Sequence, residues 1–285
     1  MTLAGYQIDL VETGRIRLDG GAMFGIVPRP LWERRIEPDE RGRIPLAMRC
    51  LLLRGHGRTI LVDTGVGDKG TDKFNDIYGV DLDHSTLLGS FTALEVGPGD
   101  VTDVLFTHLH FDHAGGATQR TQAGDLEVVF PNADLWVGER HWQWAKESPR
   151  ESASFLAENL DPLGASGRLR LIGDGDEPFP NVALEVVDGH TIGQVLPRVT
   201  DGERSVFFPA DLVPTAAHVS PLWIMAYDIR PLDTLSEKER LLDRAARENW
   251  GVVFEHDPVT AWSRIVDAER GVATFDERPD LPTEM

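Results

Sequence analysis

Cysteine is nearly absent from this chain of 285 residues, and Cys50 is the only one. An internal disulfide is therefore excluded, and so is a thiolate-rich zinc finger. Basic charge is scarce as well. Lys and Arg number 28 against 47 Asp and Glu, a formal charge of −19. That balance argues against nucleic acid and against anionic membrane surfaces, which are bound through Lys and Arg. No run is apolar for long enough to span a bilayer, since "LAMRCLLLRG" is interrupted by Arg49. The opening "MTLAGYQIDLVETG" has no basic segment ahead of an apolar one, so no signal peptide is expected. A Pro/Gly/Ser linker and a short fixed repeat are also missing. What remains is the expectation of one cytoplasmic globular domain over 1–285, with enough chain for a proper core.

Strands dominate the coarse pattern. "YQIDLVE" and "RIRLDGG" read as one hairpin, and "MRCLLLRG" with "RTILVDTG" as another, turning at His56-Gly57. "VTDVLFTH", "ADLWVG", "VALEVVDG", "RSVFFPAD" and "WGVVFEHDP" are further strands. A helix is expected around Glu139 to Lys146. Another is expected over "SEKERLLDRAAREN", opened by a capping box of Ser236 with Glu239 and carrying an apolar stripe of Leu241, Leu242, Ala245 and Ala246. Strand-rich halves with interspersed helices predict an α+β fold of two packed sheets flanked by helices.

The chemistry concentrates in "THLHFDH", residues 107–113. Residues i and i+2 of an extended chain face the same way, so His108 and His110 can aim at one point. Asp112 and His113 lie where the chain begins to turn and can face a second point. Imidazole and carboxylate suit zinc at about 2.0–2.2 Å. Three other apolar strands end in a metal-capable residue: "LEVVDGH" in His190, "SVFFPAD" in Asp211 and "GVVFEH" in His256. Of nine histidines, His56, His84 and His141 read as turn or helix-surface residues, and His218 as a pocket residue.

"THLHFDHAGG", with "LVDTG" upstream and "DGHTIG", "PADL" and "FEHD" downstream, resembles the metallo-β-lactamase superfamily. The resemblance runs from Asp63 to His256. It implies a four-layer αββα sandwich with a two-metal site, zinc the expected metal and manganese, iron or cobalt alternatives. It implies His108, His110 and His190 on one ion, Asp112, His113 and His256 on the other, Asp211 bridging, and Asp63 as a buried support for the histidines. Two ions about 3.5–4 Å apart can share a hydroxide formed at neutral pH, the expected nucleophile of a hydrolysis, with Asp112 orienting it and carrying its proton.

Two stretches rich in large apolar residues, "LDGGAMFGIVPRPLWERR" (18–35) and "AHVSPLWIMAYDIRPLD" (217–233), resemble the quorum-quenching N-acyl-homoserine lactonase branch, with methyl parathion hydrolase a relative. That resemblance implies a small hydrophobic lactone as substrate and an acyl-chain pocket lined by Met23, Phe24, Trp32, Trp223, Met225 and Tyr227. It also implies a homodimer. A promiscuous esterase or phosphotriesterase is the alternative enzyme, and a non-catalytic metal-binding protein the alternative outside enzymes. Pro214 stands where many such lactonases have a carbonyl-donating tyrosine, and the role is expected to pass to His218 or Tyr227. Gln194 stands where many have a second histidine.

Overall fold

The run "AMRCLLL" is buried along its whole length, so its strand must lie in a sheet covered on both faces. The computed structural model, which describes residues 1–267 and the backbone of Ala273–Phe275, places it there. Within Arg43–Gly55, Leu51 and Leu53 face one core while Cys50 and Leu52 face another, as an alternation of period two requires. The strand turns back on itself through His56 and Gly57, at φ 52° and 72°, into Arg58–Val62. Both residues are left-handed, the conformation that matches the twist of a two-residue hairpin.

The other expected hairpin does not form. "YQIDLVE" and "RIRLDGG" are one strand, Tyr6–Asp19, paired along Arg43–Gly55 with a register irregularity between Glu12 and Arg15. Gly14 absorbs the kink at φ 129°, and the Thr13 hydroxyl donates to Met48 O at 2.9 Å. The chain is thereby held to its neighbour as a bulge instead of folding back.

The strands make a seven-stranded mixed sheet from the first half and a six-stranded mixed sheet from the second. One core lies between them, joining Leu51, Leu53, Ile60, Val62 and Leu105 to Val187, Val195, Val206, Phe207 and Val252. The far face of the first sheet is covered by the helices Leu87–Ala93, Glu139–Glu147 and Ala157–Ala165. The helix Pro231–Arg247 packs against the strand Trp262–Asp267 of the second. The layers run helix, sheet, sheet, helix, an α+β sandwich of four layers.

The last of those helices starts five residues before the expected box. Pro231, whose ring presets helical φ and whose missing N–H is not needed there, begins it, and Ser236 lies inside. Leu241, Leu242 and Ala245 are buried as the stripe implied. The segment 18–35 holds two short helices, Gly20–Phe24 and Arg29–Trp32.

Backbone bonds join the edges of the two sheets where the strands deliver their terminal residues. Val195 N donates to Thr107 O at 2.9 Å, Ala47 N to His256 O at 3.1 Å and Arg49 N to Glu255 O at 3.1 Å. Arg49, the charge inside the apolar run, also donates through its guanidinium to Phe254 O at 2.5 Å and to Glu12 at 2.6 Å. Partners of this kind are what a buried cation requires. No helix among the described residues is long and apolar enough to cross a membrane.

Candidate metal centre

The strand Asp103–Leu105 leads directly into the histidine motif. Thr107 anchors the turn, its N–H donating to Asp63 Oδ1 at 2.8 Å and its hydroxyl to Asp63 Oδ2 at 2.6 Å. The chain then coils through the short helix Phe111–Ala114. Close backbone packing follows: a Cβ on Gly115 would sit 2.2 Å from Val66 O, and one on Gly116 2.2 Å from Thr64 O. Only glycine permits that approach. Asp63 and Ala210, at φ 58° and 42°, are left-handed at the strand ends that deliver the donors. Strain of that kind in non-glycine residues concentrates at functional sites.

Two donor sets result. Ligand atoms of His108, His110, His190 and Asp211 lie within 4.8 Å of one another, as do those of Asp112, His113 and His256. All seven residues are buried. His110 Nδ1 is 3.2 Å from His190 Nε2, and His113 Nε2 is 3.2 Å from His256 Nε2. Asp211 stands between the sets, with Oδ2 3.1 Å from His190 Nε2 and Oδ1 3.0 Å from His256 Nε2.

These atoms fit divalent cations. His108 Nε2 is buried without a hydrogen-bond partner, a costly state unless something else satisfies it. Burial alone would raise Asp211, yet His113, His256 and His190 hold it well below the usual carboxylate range. The same carboxylate lifts His190 to about 10 and His256 to about 9 against the opposing effect of burial. The cluster thus draws positive charge to its centre, and imidazole with carboxylate is a donor set suited to zinc.

Each imidazole is fixed from behind, an arrangement that orients ligands and sets their tautomers. Asp63 Oδ2 lies 3.2 Å from His113 Nδ1. Four other supports had no signal in sequence. Glu151 Oε1 is 3.0 Å from His110 Nε2, Asp228 Oδ1 is 2.9 Å from His190 Nδ1, and Ala47 O is 2.8 Å from His256 Nδ1. Glu255, 3.2 Å from His113 Nδ1, is pushed up to about 7 by burial. His141 is a correction: it is fully buried and not on the helix surface. It accepts from Leu109 N at 2.8 Å, donates to Ile192 O at 2.8 Å, and burial pushes it down to about 3. A neutral imidazole so placed locks the loop between His108 and His110.

A cavity of about 270 Å³ opens above the donors, and His110, Asp112, His190, Asp211 and His256 lie at its floor. Of the residues expected to line it, Met23, Met225 and Tyr227 do. Phe24, Trp32 and Trp223 do not. They stand behind the wall, where Phe24 stacks on Trp32 at 5.4 Å and on His218 at 4.7 Å, with Trp223 edge-on at 5.6 Å. His218 is also excluded from the cavity. It is buried, and its ring nitrogens are spent on Thr215 Oγ1 at 2.7 Å and Met23 O at 2.8 Å. Pro214 turns its carbonyl to His256 N at 2.9 Å. Tyr227 is left as the aromatic hydroxyl from the two segments that reaches the cavity, and burial pushes its pKa up. Leu18, Leu46, Tyr78, Phe111, Arg150, Glu151, Ser154 and Ala226 complete the wall.

The family model of the metallo-beta-lactamase superfamily matches residues 45–256. An N-acyl homoserine lactonase from Bacillus sp. is 26% identical over 247 residues, which cover 82% of this chain and 87% of that one. A solved structure of a probable metal-dependent hydrolase from Staphylococcus aureus is 28% identical, with a TM-score of 0.87 over 97% of this chain and 99% of its own. A second solved structure, AidC, described as a dizinc quorum-quenching lactonase in complex with a product, has a TM-score of 0.77 at 18% identity, covering 97% of this chain and 95% of its own.

Proposed function

The chain belongs to the metallo-beta-lactamase superfamily, and from that membership we propose a two-zinc hydrolase that opens N-acyl-homoserine lactones and so quenches quorum signals. The observation that carries this reading is the pair of donor sets on the floor of a cavity with largely apolar walls. In it His108, His110 and His190 would hold one ion and Asp112, His113 and His256 the other, with Asp211 within reach of both sets. Similarity to a curated lactonase over most of both chains supports the choice of substrate. All of 1–285 acts as one hydrolase domain, to whose pocket the segment 18–35 gives Leu18 and Met23.

Two divalent ions in these donors supply Lewis acidity toward a carbonyl and a water acidic enough to act as nucleophile at neutral pH. The chain's own groups do the rest. Asp112 lies at the cavity floor between His113 Nε2 and His256 Nε2, 3.8 Å from each. Its carboxylate takes the proton of the attacking water and returns it to the leaving alkoxide. Tyr227, protonated across the working range because burial raises its pKa, donates to a substrate carbonyl. Met23, Leu46, Phe111 and Met225 receive the acyl chain and keep water from it. At about 270 Å³ the cavity lies just below the ~300–1,000 Å³ range of ligand sites, so a short acyl chain fills it and a long one extends past the rim.

Proton release from N-hexanoyl-homoserine lactone tests the reading, with wild type compared to Asp112→Asn and His110→Ala. Both substitutions abolish turnover while the circular dichroism spectrum stays native. Near-normal turnover in either one removes the mechanism.

A further inference from the structure

We propose that Arg150 is a second anchoring point of this cavity and selects substrates with a carbonyl or carboxylate oxygen in the acyl portion, away from the bond that breaks. The proposal deepens the lactonase reading and rests on it for the identity of that bond.

Arg150 lines the cavity together with Ala226 and Tyr227. One guanidinium N–H donates to Ala226 O at 3.1 Å, which ties the side chain to the segment that carries Tyr227. No carboxylate of the described residues lies within ion-pair distance of it. Arg150 is exposed, so the donors it does not spend on Ala226 O face solvent at the cavity. A guanidinium carries several donors in a fixed fork, and this one commits a single hydrogen bond among the described residues, to a neutral carbonyl. Its remaining donors suit an oxygen acceptor, bidentate if that acceptor is a carboxylate.

The presentation is rigid. The adjacent residue Glu151 is buried and held by Trp144 Nε1 at 2.5 Å, Ser148 Oγ at 3.1 Å and His110 Nε2 at 3.0 Å. Ser154 N and Phe155 N donate to Glu151 O at 2.8 and 3.2 Å. The backbone that bears Arg150 is therefore fixed relative to the donor sets, and a rigid support is what turns a flexible cation into a selective contact. The other wall residues near the acyl path, Met23, Leu46 and Met225, offer no charge and grip plain and oxygenated chains alike.

The test compares two substrate pairs on wild type, Arg150→Met and Arg150→Lys. One pair is N-(3-oxohexanoyl)- and N-hexanoyl-homoserine lactone; the other is an aryl monoester of adipate and the aryl hexanoate. Wild type prefers the oxygenated member of at least one pair. Arg150→Met lowers that preference in kcat/KM by about tenfold, mainly through KM, as expected for one lost charge-assisted bond. Arg150→Lys restores part of it, more for the carboxylate than for the ketone. Preferences that are equal in wild type and Arg150→Met overturn the proposal even if every lactone is opened. A preference for adipate that survives alongside inert lactones keeps the anchor and removes the lactonase reading.

Discussion

Replacing Glu151 by glutamine changes one atom and tests whether the supports behind the ligands matter. Glu151 accepts from two sides: Oε1 faces His110 Nε2 at 3.0 Å, and Oε2 faces Trp144 Nε1 at 2.5 Å and Ser148 Oγ at 3.1 Å. A carboxamide has one accepting end. With its NH₂ toward His110, the imidazole must present an unprotonated Nε2 and carry its proton on Nδ1, the nitrogen facing the donor set, which removes it as a ligand. With its NH₂ toward Trp144, the half-buried indole N–H loses its acceptor, at about 1 kcal/mol. Loss of such a support lowers metal affinity by about 10–100-fold, roughly 1.4–2.7 kcal/mol.

The pH dependence has a defined sign. Burial raises Glu151, but bonds from His110 and Trp144 outweigh it and bring the carboxyl to about 2 from an ordinary 4.5. The folded state is therefore favoured above the ordinary value, and that contribution is lost as pH falls from there toward 2. Glutamine has no such contribution. Chelator competition read by metal analysis, with urea denaturation at several pH values, checks both effects. A Glu151→Gln protein that holds metal as tightly as wild type and keeps the same acid sensitivity refutes the reasoning.

Lys238 is a buried ammonium that donates to Ser220 O at 2.9 Å and Trp223 O at 2.7 Å, and burial lowers it to about 7 from 10.5. Its folded pKa is depressed, so above about 7 the unfolded chain binds more protons and wild type gains stability up to the ordinary value. Denaturation of Lys238→Met lacks that gain, and the loosened 220–227 segment raises KM with metal content unchanged. Tyr227→Phe lowers kcat/KM by about 10²–10³-fold, the loss of one donor to the developing oxyanion, measured with the same lactone. His218→Ala loses the stack on Phe24 and two hydrogen bonds, so calorimetry finds a destabilisation of about 2–4 kcal/mol while the protein still binds its metal.

His190, Asp211 and His256 are legible because each follows an apolar strand, whereas Asp112 and His113, in the short helix Phe111–Ala114, are marked by the spacing of "THLHFDH" and by the family resemblance. "FDHAGG" adds glycines whose necessity the 2.2 Å approaches to Thr64 O and Val66 O explain. What lay behind them was not legible. Glu151, Asp228 and His141 reach the site from 41, 38 and 32 residues away from their partners, and no local pattern marks a carboxylate that will meet a particular imidazole. The aromatic stretches misled in part for a related reason. Aromatic content signals burial but does not say which side of a wall a ring takes, and the stack of Trp32, Phe24 and His218 lies behind it. The 6–21 hairpin failed because a bulge and a turn share the signal of a glycine between two alternating runs.

The most direct test of the central claim is lactone hydrolysis by protein whose metal content is measured in the same sample. Two divalent ions per chain, with kcat/KM above ~10⁴ M⁻¹s⁻¹ on N-acyl-homoserine lactones and well below that on an aryl ester and a phosphotriester, is the predicted result. Fully metallated protein that leaves every lactone closed contradicts it.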